Sequence, residues 1–224
     1  MDSLDTRLKG GLAQAALHEV YASAGDAASG AAFALLLAGR CHQTKPIFWV
    51  REASTRLGTR PYGLGLAELG ISPSRLFLVD APDSIAALRA GADIIRCGAV
   101  GAVVIELNGK APALNLTASR RLALAAGHSG VMTLLLRTGG EPVPSAAHSR
   151  WRVASASSTP LPANAPGRPA FKVTLLRHRG GIAGFEARLE WNRDRQCFDQ
   201  TPLFGGVPAV ALSGTGQAFE RRAA

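Results

Sequence analysis

Two glycines frame the stretch Gly25-Asp26-Ala27-Ala28-Ser29-Gly30-Ala31-Ala32 at the spacing of a phosphate-binding loop. In the motif G-x-x-x-x-G-K-[ST], backbone N–H groups cradle phosphates, the lysine reaches the β/γ-phosphates and the hydroxyl anchors Mg²⁺. Here Ala31 stands where the lysine belongs, and Ala32 where the Ser/Thr belongs. The stretch follows an apolar run, Leu17 to Ala22, and opens an apolar helical one, Ala31 to Ala38. That is the strand–loop–helix context the motif demands. A strand-to-helix turn with glycines easing close packing would carry the same pair. Phosphoryl transfer rests mostly on electrostatic stabilisation of developing charge, and Ala31 and Ala32 supply neither counter-charge nor metal anchor. The loop is expected to be vestigial, with no nucleotide cofactor and no ATP hydrolysis.

Other catalytic templates fail on their residues. His18-Glu19 begins like H-E-x-x-H, but Ala22 occupies the second histidine position. No G-x-S-x-G occurs, the five histidines are dispersed, and no metal site is expected. His18 reads as a strand-end residue and His128 as a cation at a helix C-terminus. Cys41, Cys97 and Cys197 lie far apart, as small core residues in a reducing compartment would.

The basic residues invite a binding reading. Net charge is +9, which favours an acidic partner such as nucleic acid or an acidic protein surface. Arg150, Arg152, Arg177, Arg179 and Arg188 lie on or beside predicted C-terminal strands, with Trp151 and Trp191 interleaved. Such a mixture suits phosphate contact and base stacking; it equally suits a snorkelling sheet surface over core tryptophans. Arg120-Arg121 read as the solvated face of a helix. Gln200-Thr201-Pro202-Leu203-Phe204 resembles the Q-x-x-L-F form of sliding-clamp peptides, which makes Gln200, Leu203 and Phe204 a candidate clamp contact beside a packed-loop alternative.

The elements that would position these residues alternate along the chain. Apolar β-type runs at 17–22, 47–50, 76–79, 102–106 and 131–136 are separated by helical patterns at 29–41, 64–69, 84–97 and 117–128. This order predicts an α/β fold, a mostly parallel sheet covered by helices on both faces, with ligand loops at the strand C-termini. Residues 154–169 hold four prolines and no periodicity, so they read as a loop. Residues 171–176 and 185–191 alternate apolar and polar side chains about a glycine-rich turn, a small C-terminal β-hairpin appendage. The expected divisions are a core over 1–153, the loop, the hairpin over 170–200 and a partly ordered tail over 201–224. Hydrophobic content of 47% in 224 residues fits a globular chain, and no run reaches the length of a membrane span. The acidic start, Met1 to Asp5, lacks the basic character of a signal peptide, so a cytoplasmic, non-membrane protein is expected.

Over roughly residues 11–137 the chain resembles RecA, the strand-exchange ATPase. Ile47-Phe48-Trp49-Val50-Arg51-Glu52-Ala53 looks like the strand ending in RecA's water-activating glutamate, with Glu52 at that position. The segment at 84–106 resembles its following helix and Walker B strand, with Glu106 in place of the usual aspartate. Carboxylates facing an unneutralised triphosphate would repel it, so Glu52 and Glu106 join the vestigial set. Three local features narrow the match to the ImuA family of bacterial SOS mutagenesis cassettes: Leu116 to Leu122, Ser145 to Val153, and Leu176 to Gly181 with Leu189-Glu190-Trp191. The resemblance implies a RecA-like core and an accessory, non-enzymatic role in translesion synthesis on damaged DNA. It implies action beside an ImuB-like protein and an error-prone replicative-type polymerase, with DNA, RecA or the sliding clamp as further partners. Two alternatives stay open: an ATP-dependent RecA paralogue acting on DNA filaments, and a SulA-like inhibitor of cell division.

Overall fold

The longest apolar runs become the innermost strands. β1 (Leu17–Ala22) is buried at every position, and β4 (Ala102–Asn108) and β5 (Met132–Thr138) nearly so. Strands buried on both faces need helices above and below, and the connecting segments supply them. A computed structural model describes residues 4–8, 10–52, 61–180 and 183–201. In it α1 (Leu4–Arg7) precedes β1, and α2 (Ala27–Cys41) leads to β2 (Ile47–Glu52). Next come α3 (Gly63–Glu68), β3 (Leu76–Ala81), α4 (Ser84–Ile95) and β4, then α5 (Leu116–Ser129) and β5. β6 (Ser149–Ser155), β7 (Ala170–His178), β8 (Phe185–Asn192) and β9 (Cys197–Thr201) complete the order.

The nine strands among the described residues belong to one sheet, in the order β3-β2-β4-β5-β1-β6-β7-β8-β9. Neighbours from β3 to β6 run parallel, and β6 to β9 run antiparallel. The mostly parallel α/β expectation therefore holds, and β7 and β8 form the expected hairpin. That hairpin is continuous with the sheet, and β9 adds a third antiparallel strand to it.

Helix boundaries follow local chemistry. Asp83 caps α4 by accepting from the Ala86 N–H at 2.7 Å, and Asn115 caps α5 through the Ala118 N–H at 2.9 Å. α5 ends where Gly130 adopts φ 75°, the left-handed turn that side chains disfavour. One sheet face packs against α2 around Val20, Val104, Leu134 and Leu136, and the other against α4 and α5 around Val103, Ile105 and Leu135.

The hairpin's inner face shares the α2 core. Phe33 of α2 lies 5.8 Å from Phe171 and 5.3 Å from Phe198, and Trp191 lies 5.0 Å from Phe198. Trp191 Nε1 also donates to the Leu69 carbonyl at 2.9 Å, and Gln196 Nε2 donates to the Gly70 carbonyl at 3.0 Å. The proline-bearing loop after β6 is pinned as well, because the Thr159 N–H and hydroxyl both donate to Glu190 Oε1 at 2.7 Å.

β6 was not among the predicted strands. It runs parallel to β1, and residues 139–148 carry the chain back from the end of β5 without a helix. This strap is held by the Arg150 guanidinium, which donates to the Val143 carbonyl and to Ser145 Oγ, and by Ser119 Oγ, which accepts from the Ala146 N–H at 3.1 Å.

Candidate functional site

The C-terminal ends of β1, β2 and β4 bring the vestigial-loop residues to one sheet edge. After β1, Ser23 opens a tight turn over Ala24–Asp26, its hydroxyl oxygen accepting from the Asp26 N–H at 3.1 Å. α2 then starts at Ala27, so Gly30, Ala31 and Ala32 are already helical. From the fourth residue of a helix onward, N–H groups donate to the preceding turn. The amides at 30–32 are therefore spent within α2 and cradle nothing.

The two glycines divide in purpose. A Cβ on Gly30 would lie 2.7 Å from the Ala22 Cβ and 3.3 Å from Leu136 Cδ1, so this glycine lets α2 sit close on β1 and β5. A Cβ on Gly25 would meet only Ser23 Oγ, at 3.8 Å. Nothing in its surroundings demands a glycine.

A carboxylate occupies the helix start. Asp26 Oδ1 accepts from the Ser155 N–H at 2.8 Å and the Ser155 hydroxyl at 2.9 Å, and Oδ2 accepts from the Ser23 hydroxyl at 2.7 Å. These bonds, the Ser155 amide first, hold its carboxyl below the usual carboxylate range. The Asp26 side chain makes no capping bond to the α2 amides; both its oxygens are spent on Ser23 and Ser155. The turn is latched to the end of β6 where a phosphate loop would stay open.

The two glutamates are separated in role. Glu106 on β4 accepts from Trp49 Nε1 at 3.0 Å, and its partial burial pushes its carboxyl up, against the lowering effect of that bond and of nearby Arg51. Arg51 lies opposite Glu106 in the β2–β4 register and pairs with Asp80 of β3 at 2.6 Å. Glu52 ends β2, one residue further along. Among the described residues, no group of three or more His, Cys, Asp or Glu side chains is placed to hold a metal ion.

The proposed basic surface splits in two. Arg150 forms an ion pair with Glu19 at 2.6 Å, the glutamate side chain wholly buried and the arginine nearly so. Trp151 lies in the α2 core, its Nε1 donating to Ser149 Oγ at 2.8 Å. Arg188 is buried against Glu190 at 2.8 Å. These three are corrected from contact residues to interior ones, because each faces a buried partner rather than solvent. Arg152, Arg177 and Arg179 are exposed. Arg152 alternates with core Trp151, and Arg177 is in register with Arg150, so both occupy the face away from α2. Arg177 also donates to the Ser145 carbonyl at 2.9 Å.

Gln200 is an exposed residue of β9, in register with Leu189 of β8. It borders a cavity of about 560 Å³ whose apolar lining includes Phe33, Leu37, Trp151, Leu189 and Phe198. The clamp-like peptide thus begins inside a sheet strand rather than a detached segment, while Leu203 and Phe204 lie outside the described residues.

Comparison with known proteins bears on what this edge once did. No protein-family model matches the chain. Protein ImuA from Caulobacter vibrioides, in strain NA1000 / CB15N and in strain ATCC 19089, is 39% identical over 131 residues, 54% of this chain and 52% of each relative. Over that stretch the chain is similar to ImuA. It spans about half the length of the ImuA proteins it matches.

Two features of this chain escaped the reading of its residues. One is the Asp26 latch, signalled only by an acid inside a phosphate-loop spacing. The other is a hydrogen-bond chain through His18, the second residue of β1, whose side chain is buried. Trp151 Nε1 donates to Ser149 Oγ; that hydroxyl donates to His18 Nδ1 at 2.7 Å; His18 Nε2–H donates to the Ala13 carbonyl at 2.7 Å. Because the Ala13 carbonyl can only accept, Nε2 carries a proton, and in the neutral imidazole Nδ1 is then the acceptor. Burial lowers the His18 pKa from 6.5 to about 4, with nearby His148 and His178 pushing the same way and the Ala13 bond opposing. His148 stacks edge-on against both, at 5.8 Å from His18 and 4.9 Å from His178. Among the described residues no helix is long and apolar enough to cross a membrane.

Proposed function

We propose that this chain is a catalytically silent, RecA-like accessory protein of SOS mutagenesis, acting as an adaptor in translesion synthesis beside an ImuB-like protein and an error-prone replicative-type polymerase. Similarity to ImuA over about half the chain supports the cassette assignment. The observation that carries the silent part is the latched turn. Its amides at 30–32 are spent in α2, Asp26 ties the turn to Ser155, and the lysine and magnesium-anchoring hydroxyl are replaced by Ala31 and Ala32. An ATP-dependent paralogue would need a positive group at the transferring phosphate and an open cradle. A division inhibitor would need neither, so partner choice separates that alternative.

Arg152, Arg177 and Arg179 are the residues assigned to DNA or partner contact in this reading. Exposed arginines that neutralise phosphates make binding fall steeply with salt. The test has two arms. Calorimetric titration with millimolar Mg-ATP is expected to give no binding heat and no turnover. Pull-down is expected to retain an ImuB-like protein and not the division protein FtsZ. Magnesium-dependent hydrolysis lost on Glu52→Gln would return the chain to the ATPases, and capture of FtsZ alone would place it with the division inhibitors.

A further inference from the structure

The outer surface of α5 meets the end of α4 in a shallow depression of about 450 Å³. Arg96, Arg121 and His128 wall it, and Leu124 and Ala125 form its apolar part. α5 carries no acidic residue along its length. The nearby acid Asp93 is taken up by Arg96, at 2.6 Å. The depression is therefore positive through Arg121, with Arg96 shared with Asp93, and the chain as a whole carries the same sign of charge.

Its apolar content is as informative as its charge. Leu124 is 57% exposed and Leu116 is 44% exposed, on a helix whose other side buries Leu122 and Ala126. At about 100° per residue, Leu116, Arg120, Leu124 and His128 advance along one solvent-facing stripe with Arg121 beside them. Ala125 and Gly127 keep the adjoining surface low. Leu116 and Leu124 leave apolar surface in water on a face whose other long side chains are arginines, surface that a partner would cover.

We propose that this α4–α5 face docks an acidic amphipathic helix from a protein partner. An apolar side chain of that helix covers Leu124, and its flanking carboxylates meet Arg96, Arg121 and His128. Phosphates of a nucleic acid would satisfy the cations and leave both leucines in water, which is why a peptide fits better. Helix-in-groove recognition uses apolar anchors at i, i+3, i+4 and i+7, and the depression offers their counterpart. The inference deepens the adaptor reading and rests on it for the existence of a protein partner.

The full chain is titrated, by fluorescence anisotropy, into a labelled peptide of about 18 residues with leucines at i, i+3, i+4 and i+7 flanked by glutamates. A scrambled peptide of the same composition and a labelled single-stranded DNA serve as competitors. The patterned peptide should bind with salt-sensitive affinity. Arg121→Glu and Leu124→Asp should each weaken it about tenfold or more, consistent with loss of one buried anchor. Arg193→Glu, an exposed charge elsewhere, should change nothing, and thermal melts should match wild type because all three positions are exposed. Equal binding of the scrambled peptide, indifference to Leu124→Asp, or displacement of the peptide by DNA would overturn the proposal. An ImuB-like protein still captured by both variants would remove this face from the interface yet leave the adaptor reading standing. Failure of the wild-type capture would remove the adaptor reading itself.

Discussion

His18 should make this fold acid-sensitive by a calculable amount. Its imidazole is buried, and its pKa falls from 6.5 to about 4 in the folded chain. Between those values the unfolded chain binds a proton that the folded chain refuses. Stability is therefore full above pH 6.5, declines as pH falls toward 4, and stops declining there on this account. At ~1.4 kcal/mol per pH unit, the drop from 6.5 to about 4 amounts to about 3 kcal/mol, a large share of a typical folding free energy. Burial is the chief reason the proton is refused, because the imidazolium would lose its solvation, and His148 and His178 add to it. His148 moves in the same direction, its pKa lowered chiefly by burial and then by His178 and Arg179. Urea unfolding at intervals from pH 7.5 to 4.5 tests this, with His18→Gln as reference. The variant should be less stable at neutral pH and should lose the part of the acid slope due to His18, so the two curves converge toward pH 4. Parallel curves, or an imidazole resonance titrating near 6.5 in the folded protein, would refute the reasoning.

Other expectations follow from the same geometry. Grafting the missing chemistry with Ala31→Lys and Ala32→Thr should leave ATP affinity unmeasurable at millimolar nucleotide in a calorimetric titration, because the amides at 30–32 stay helical and Asp26 keeps the turn tied to Ser155. Gly30→Ala should destabilise by about 1–3 kcal/mol in chemical denaturation, since the added methyl meets Ala22 Cβ at 2.7 Å. Gly25→Ala should stay within about 0.5 kcal/mol in the same assay. Arg150→Ala leaves the Glu19 charge buried without its cation and should cost about 3–5 kcal/mol by the same measurement. Arg177→Ala with Arg179→Ala should instead weaken DNA binding across sequences in a salt-dependent gel or anisotropy assay, with little change in melting temperature.

The parallel strands and their helices were legible because their signal is local. Near-continuous apolar runs such as Leu17–Ala22 and Ala102–Ile105 can only be buried on both faces, and Gly130 ends α5 in the position its type suggests. β6 was less legible. Its residues alternate arginine with Trp151 and Val153, a pattern that does not say which strand will lie beside it. The basic surface was misread for a related reason. Arg150 and Glu19 are 131 residues apart, so nothing near Arg150 announces that its charge is matched inside. Arg188 looks like Arg177 in sequence, yet one pairs with Glu190 and the other reaches solvent. The loop was read correctly in its missing lysine and hydroxyl. The latch was not, because Ser155 lies far down the chain and joins Asp26 only once β6 is beside β1.

The strap between β5 and β6 restricts how the chain length can change. Its ten residues, 139–148, must return along the height of the sheet and step past β1 to start β6. By register Ser149 lies level with Leu134, four residues before the end of β5, so the return is about 13 Å along the strands and about 10 Å across two strand spacings. That diagonal of about 16 Å needs about five extended residues of the ten, and the rest are taken up in turns. Insertions into this segment can bulge outward, whereas removal of more than about five residues leaves too little chain to cross β1, so homologous chains sharing this sheet should tolerate lengthening here better than shortening.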